Sequence, residues 1–330
     1  MRVAIIGCGA AGMARVSAFV GIPDAEVLVC VDQNISKAEG MAQNFGCEYS
    51  TDWQQAIARD DIDAVMIAVA TNMHAVVGIG AMEAGKHIFC EAPLARTPME
   101  AEQMLLVSED RGLTLAVSAS HRFTLAARKA KELLDAGTID DVLFLRGWAG
   151  QGTWGGVETW YVDPEVSGGG TMMSNGISLL DLARWFVGDF DEVIGYKDTA
   201  LWPIEPVEDN AFGLFRASDT GRVASLHSSW TYWKDRLGLE IVGSEGYIRL
   251  DLDEAQVILG TKTGPLAGIE QQVFDLSSQP DHSRQIELED FFEAIRQGRK
   301  PSSSAFDGLR AVQMAHAIYR SSEKHIAVSL

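Results

Sequence analysis

The stretch Val3-Ala4-Ile5-Ile6-Gly7-Cys8-Gly9-Ala10-Ala11-Gly12 decides how this chain is read. Four apolar, β-prone residues run into a G-x-G-x-x-G loop that opens an Ala-rich segment. A phosphate-binding loop needs that order of buried strand, tight turn and helix. Gly7 serves the turn, and Gly9 leaves bare backbone for a pyrophosphate. Gly12 lets helix and strand approach, and the helix N-terminus faces the anion. A second strand, Glu26-Val27-Leu28-Val29-Cys30-Val31, ends at Asp32, twenty positions beyond Gly12. A carboxylate there accepts hydrogen bonds from the adenosine ribose hydroxyls and repels a 2′-phosphate. No Arg or Lys follows before Lys37, so the expected cofactor is NAD rather than NADP. Gly7, Gly9, Ala10, Ala11, Gly12, Asp32 and Gln33 are expected to line it.

Bulk properties narrow the partners. A chain of 330 residues suggests two domains, each with its own core. At 47% hydrophobic and 22% charged, composition is that of an ordinary globular protein. A net charge of −19 argues against nucleic acid and anionic membrane surfaces, because phosphates are repelled. The expected partner is a small-molecule substrate. The chain opens directly on a strand, so no leader is expected, and no apolar run approaches a membrane span. Cys8, Cys30, Cys47 and Cys90 form no C-x-x-C pair. Buried free thiols in a reducing cytoplasm are expected, with no disulfide framework and no metal site.

Two rhythms divide the chain. Up to about residue 120, strands at 3–6, 26–31, Ala64–Val69, His87–Cys90 and Leu113–Ser118 alternate with helix patterns. One of these opens on the capping box Thr97-Pro98-Met99-Glu100. This alternation predicts right-handed crossovers and an N-terminal doubly wound parallel sheet, an α/β domain over 1–120. Beyond it come a helix at Thr124–Ala136 and strand-like runs at Val142–Ala149, Val193–Tyr196, Ala211–Arg216, Val223–Tyr232, Leu237–Val242, Tyr247–Leu252 and Gln256–Gly260. Helices are expected near Ser178–Val187, Ile286–Gln297 and Phe306–Glu323. Residues 121–330 thus read as an α+β domain on a large, mostly antiparallel open sheet.

Further segments carry a family resemblance over nearly the whole chain. His87-Ile88-Phe89-Cys90-Glu91-Ala92-Pro93 resembles the strand and turn bearing Glu-Lys-Pro in the glucose–fructose oxidoreductase/inositol dehydrogenase (Gfo/Idh/MocA) family. Trp160-Tyr161-Val162-Asp163-Pro164, then Gly168-Gly169-Gly170, is similar to its second-domain signature. Glu208-Asp209-Asn210-Ala211 and Ile241-Val242-Gly243-Ser244-Glu245-Gly246 also fit. The resemblance implies a Rossmann domain followed by a substrate-binding domain whose sheet often supports oligomers, here a dimer or tetramer. It implies NAD(P)-dependent oxidation or reduction of sugars, inositols and related polyols. It adds Val69, Ala70, Asn72, His74, Glu91, Ala92 and Pro93 to the expected cofactor site, with His74 as a positioning residue. Arg122, Trp160, Ser174, Ser178 and Trp230 become expected substrate contacts.

Departures from the pattern bear on the chemistry. The resemblance puts Ala92 where the family has its catalytic lysine, Ser174 at the aspartate and Ser178 at the customary histidine. A neutral serine is no general base at pH 7. His121, after the sixth strand at the carboxyl edge where α/β sheets bind ligands, is the first candidate for proton transfer. Tyr161, just before the glycine cluster, is the second. The alternation Ser225–Trp230 leaves the face of His227 open, and Lys234 reads as a solvated loop charge. His282, His316 and His325 read as structural residues in terminal helices. Trp148, Trp154, Trp160, Tyr161, Trp230, Tyr232 and Trp233 suit either a ring-binding pocket or a core.

Three readings compete. The first is an NAD-dependent oxidoreductase acting on a sugar-like, cyclitol-like or other cyclic hydroxy/keto substrate with a relocated acid/base. The second is an NAD-requiring lyase or glycosidase using transient oxidation. The third is a non-catalytic nucleotide-binding sensor.

Overall fold

The computed structural model describes residues 1–19, 21–152, 159–264 and 268–330. The expected pocket aromatic Trp154 lies outside them. The chain divides into two compact units, Met1–Ala119 with Arg284–Val312, and Ser120–Ser283 with Gln313–Leu330. Sequence rhythm placed one boundary near 120. The return of residues 284–312 to the first unit is a tertiary fact, because a helix pattern does not say which sheet it will cover.

The first unit holds β1 (Arg2–Ile6), α1 (Ala10–Ala18), β2 (Glu26–Val31), α2 (Ile35–Phe45), β3 (Glu48–Ser50), α3 (Trp53–Ile57), β4 (Ala64–Ile67), α4 (His74–Glu83), β5 (His87–Cys90), α5 (Pro98–Arg111) and β6 (Leu115–Val117). Its six strands are all parallel, in the order β3-β2-β1-β4-β5-β6. The order reverses between β1 and β4, which places the ligand crevice at their carboxyl ends. β1 and β4 are buried almost throughout, as a parallel sheet covered on both faces requires. One apolar cluster includes Val65, Val77, Met82 and Met104, and the other includes Ile5, Cys30, Met41 and Phe292. Thr97 caps α5 as its sequence announced, its Oγ1 accepting from Glu100 N, and Gly112 closes it at φ +61°.

The second unit holds α6 (Leu125–Asp135), β7 (Val142–Gly150), α7 (Pro164–Ser167), α8 (Thr171–Val187), β8 (Glu192–Asp198), β9 (Asn210–Arg216), β10 (Val223–Ser229), β11 (Arg236–Gly243), β12 (Gly246–Asp251), β13 (Gln256–Lys262) and β14 (Ile269–Asp275). α9 (Ser283–Gln297) lies almost wholly in the first unit; α10 (Ala305–Lys324) straddles the division, and β15 (Val328–Ser329) closes the chain. Among the described residues nine strands form one sheet, β14-β13-β12-β11-β7-β10-β9-β8-β15, antiparallel except for the parallel pair β7–β10. Ala224, Leu226 and Ser228 on β10 point toward α8, and their alternates Ser225 and His227 point to the other face.

Several expectations are corrected. β3, β14 and β15 escaped notice because two are very short and β14 is an exposed edge strand without apolar alternation. β10 stops at Ser229, since Trp230 turns into the core. β4 ends at Ile67, so Val69 and Ala70 lie in a loop. His282 precedes α9, and His325 follows α10 at φ 54°, so neither is helical.

Candidate functional site

The phosphate loop is built by three glycines with different duties. Gly7 has φ +107°, and a Cβ on it would lie 2.3 Å from the Ala68 carbonyl oxygen. Its N–H donates to Val31 O at 2.8 Å, tying the loop to β2. A Cβ on Gly12 would sit 1.9 Å from Gly7 O, so α1 presses directly on the loop. A Cβ on Gly9 meets no protein atom within 4 Å. Open space over an extended backbone at the N-terminus of α1 suits an anion. Ala10 and Ala11 are exposed beside it.

Asp32 stands at the end of β2, half-buried. Its Oδ2 accepts from Cys8 N and its Oδ1 from Asn34 N, both at 2.8 Å, so its carboxylate is oriented by the loop itself. Gln33 beside it is exposed. After β4, Asn72 is half-buried in a short turn, Thr71–Met73, and leads into α4. His74, fully buried, bridges two segments: Nδ1 lies 2.9 Å from Pro93 O and Nε2 3.0 Å from Val69 O. Burial pushes its pKa below the usual histidine value, although both carbonyls pull it up. His74 therefore fixes the Val69 loop against the Ala92–Pro93 turn, whose peptide bond is cis.

A charged cluster behind that turn was not read from the sequence. Arg15 of α1 is 3% exposed and pairs with Glu91, with Glu287 of α9 at 2.7 Å, and with Ser118. Glu287 also accepts from Ala119 N, and burial holds its carboxyl up at about 7 against the pull of Arg15. The available signal was an arginine within the otherwise apolar α1. Its partners are too distant in sequence to be found without the fold.

In the second unit, His121 and Arg122 lie in the short turn Ser120–Phe123. His121 is half-buried. Arg122 is corrected: it is 5% exposed, and its guanidinium makes a bidentate pair with Asp181 of α8, at 2.7 and 2.5 Å. It anchors the turn that carries His121. Trp230 is corrected too. It is completely buried with Ile204 and Val207, and its indole Nε1 donates to Asn175 Oδ1 at 2.8 Å. Trp160 and Tyr161 are half-buried, and their rings stack at 3.8 Å.

Gly168-Gly169-Gly170 leads into α8, where a Cβ on Gly170 would meet Glu208 O at 2.0 Å. Glu208, fully buried, caps that helix from a distant loop by accepting from Gly170 N at 2.9 Å and Met172 N at 3.0 Å, and from the Tyr319 hydroxyl at 2.8 Å. Burial pushes its carboxyl above the ordinary range despite those bonds. Ser174 and Ser178 lie one turn apart on α8, both half-buried. Ser174 Oγ donates to Asn175 Oδ1 at 3.4 Å, and Asn175 Nδ2 donates to Gln151 Oε1 at 3.4 Å.

His227 lies on the sheet face away from α8. It stacks on Phe212 at 4.0 Å and contacts Tyr232 Oη at 2.7 Å and Asn210 Oδ1 at 3.2 Å. Burial pushes it down to about 4, so it is neutral at pH 7. Trp148 is flanked by Arg236 and Arg249, each 5.9 Å away, Tyr232 by Arg236, and Trp233 is 74% exposed. Among the described residues no group of three His, Cys, Asp or Glu is arranged to hold a metal, and no helix is long and apolar enough to cross a membrane.

Comparisons agree with this architecture. Residues 1–119 match the model of an oxidoreductase family with an NAD-binding Rossmann fold, and residues 127–249 match the GFO/IDH/MocA C-terminal domain. Levoglucosan dehydrogenase of Pseudarthrobacter phenanthrenivorans is 29% identical, over 98% of this chain and 96% of its own. Myo-inositol 2-dehydrogenase of Thermotoga maritima is 27% identical, over 100% and 98% respectively. A solved levoglucosan dehydrogenase in complex with NADH matches with a TM-score of 0.93 at 27% identity, covering 100% of this chain and 98% of that one.

Proposed function

The chain belongs to the GFO/IDH/MocA family of NAD-dependent oxidoreductases, and from that premise we propose that it transfers hydride between NAD and a carbon bearing a ring hydroxyl or ketone. The observation that carries the cofactor half is the open space above Gly9 beside an oriented Asp32 carboxylate. Asp32 favours the unphosphorylated ribose. The names of the levoglucosan and inositol dehydrogenases support a sugar-like or cyclitol-like substrate.

The acid/base is relocated. Ser174 lies in the first turn of α8 in a neutral hydroxyl and amide network, Ser178 lies one turn further on, and neither hydroxyl takes a proton at pH 7. His121 is the assigned proton acceptor, on a turn held by the buried Arg122–Asp181 pair. Tyr161 is the next candidate. The second unit serves as the substrate domain. The protein works in the cytoplasm as a dimer or tetramer. Support for assembly comes from the face opposite α8, where Ile194 pairs with Leu214 and Tyr196 with Phe212, all four exposed.

NADH formation is measured with NAD and a panel of cyclic polyols, for wild type and His121→Ala. The variant is expected to lose about 10²-fold in kcat with NAD affinity unchanged. An unchanged rate removes His121 and leaves Tyr161. Substrate turnover without net NADH identifies a transient-oxidation lyase, and NADH binding with no turnover of any kind identifies a sensor.

A further inference from the structure

Three of the four thiols gather beneath the nucleotide loop. Cys8 lies within the loop, Cys30 on β2 and Cys47 just after α2, and all three pack in one apolar cluster. Cys30 Sγ is 3.4 Å from Cys47 Sγ, and Cys8 Sγ lies 3.5 Å from Val31 O. Cys30 is wholly buried, whereas Cys47 is partly exposed, so an oxidant reaches the pair from the Cys47 side. Nothing in the hydride-transfer reading uses these groups.

We propose that Cys30 and Cys47 form a dithiol site that hydroperoxides oxidise to a disulfide, with Cys47 the attacking sulfur and Cys30 the resolving one. In the first step the Cys47 thiolate attacks the outer peroxide oxygen and the O–O bond breaks. Sulfur becomes a sulfenic acid, and the remaining oxygen leaves as an alcohol or water after taking a proton. In the second, the Cys30 sulfur attacks Cys47, and the sulfenic hydroxyl leaves with the Cys30 proton as water. Two thiols and one hydroperoxide thus give one disulfide, one alcohol and one water. The Cys30 thiol donating to Cys47 lowers the pKa of Cys47, which favours the thiolate on the exposed member.

Closure has a consequence for the cofactor. The sulfurs must approach from 3.4 Å to about 2.05 Å, and Cys30 lies two residues before Asp32, whose carboxylate is set by hydrogen bonds of 2.8 Å. Where β2 takes up part of that approach, Asp32 moves out of line with the adenosine ribose. This consequence rests on Asp32 holding that ribose, as proposed above. NADH affinity is expected to fall by about tenfold, the worth of one charge-assisted hydrogen bond.

The purified protein is treated with tert-butyl hydroperoxide, and its free thiols, disulfide-linked peptides and NADH affinity by calorimetry are measured before and after reduction with dithiothreitol. The expected result is two free thiols of four, a Cys30–Cys47 linked peptide and reversible weakening of NADH. Cys47→Ser should keep its NADH affinity under peroxide, and Cys30→Ser should hold a sulfenic acid that dimedone labels. Four intact thiols, or a disulfide through Cys8, overturns the site. A Cys30–Cys47 disulfide with unchanged NADH affinity overturns its link to the nucleotide. Failure of the reduced protein to bind NADH overturns the cofactor reading and leaves the thiol result standing.

Discussion

Two glycines of one motif should fail in opposite ways. Gly9 has φ −76° and ψ −168°, an extended conformation that a β-branched residue adopts readily, and its Cβ meets nothing within 4 Å. Gly9→Val should therefore change stability by about 0.5 kcal/mol or less, as at an open surface position. The new side chain fills the space assigned to the pyrophosphate, so NADH affinity should fall by about 10²-fold or more, roughly 2.7 kcal/mol. In Gly12→Ala the Cβ would lie 1.9 Å from Gly7 O and 3.0 Å from Gly7 C. Backbone cannot rotate away as a flexible side chain can, so α1 must lift off the loop at a cost of about 3 kcal/mol or more. The assay is thermal melting with and without NADH. At a hundredfold excess over Kd, NADH should stabilise wild type by about 2.7 kcal/mol. Gly9→Val should melt like wild type without ligand and show no such gain, whereas Gly12→Ala should melt lower even without it. A Gly9→Val protein that binds NADH normally, or that melts as low as Gly12→Ala, refutes the division of labour.

Asp32→Ser combined with Gln33→Arg should move preference from NAD toward NADP, read by titrating both nucleotides; tighter NADP binding in wild type would contradict the role of Asp32. Asp181→Ala strips the buried Arg122 of its bidentate carboxylate and should cost about 3 kcal/mol in denaturant unfolding, where a shift under 1 kcal/mol would mean the pair contributes little. His227 gives a pH signature. Burial holds it at about 4 when folded, below its ordinary value, so the unfolded chain takes up the proton first. Its contribution is whole above about pH 6.5 and is lost as pH falls toward 4, by about 1–2 kcal/mol after discounting for partial exposure. His227→Gln should flatten unfolding free energy across that window, and an unaltered slope would refute the shift.

Local pattern was enough for five of the six strands in the first unit's sheet, the three-residue β3 being the exception. Val3–Ile6 and Glu26–Val31 are apolar runs closed by turn residues, and a buried parallel strand needs little else to declare itself. The spacing of Gly7, Gly9 and Gly12 foretold three backbone duties, because each depends on the absence of a Cβ at a fixed offset. Periodicity likewise gave the alternating strands from β7 to β13.

Tertiary structure decided what lies outside any local window. Arg15 meets Glu287 across 272 positions, Glu208 caps α8 from 38 positions away, and Arg122 finds Asp181 at a separation of 59. Chain folding creates these charged contacts, and burial makes each partner necessary, so neither residue carries its own signature. Trp230 shows the same limit from the apolar side. Its strand ends at Ser229, and only the turn into Ile204 and Val207 makes it core rather than a pocket wall. The sequence by itself set most of the elements, the nucleotide loop and the choice of cofactor. The structure set which side chains are spent holding those elements together, because that depends on distances through space that spacing along a chain does not encode.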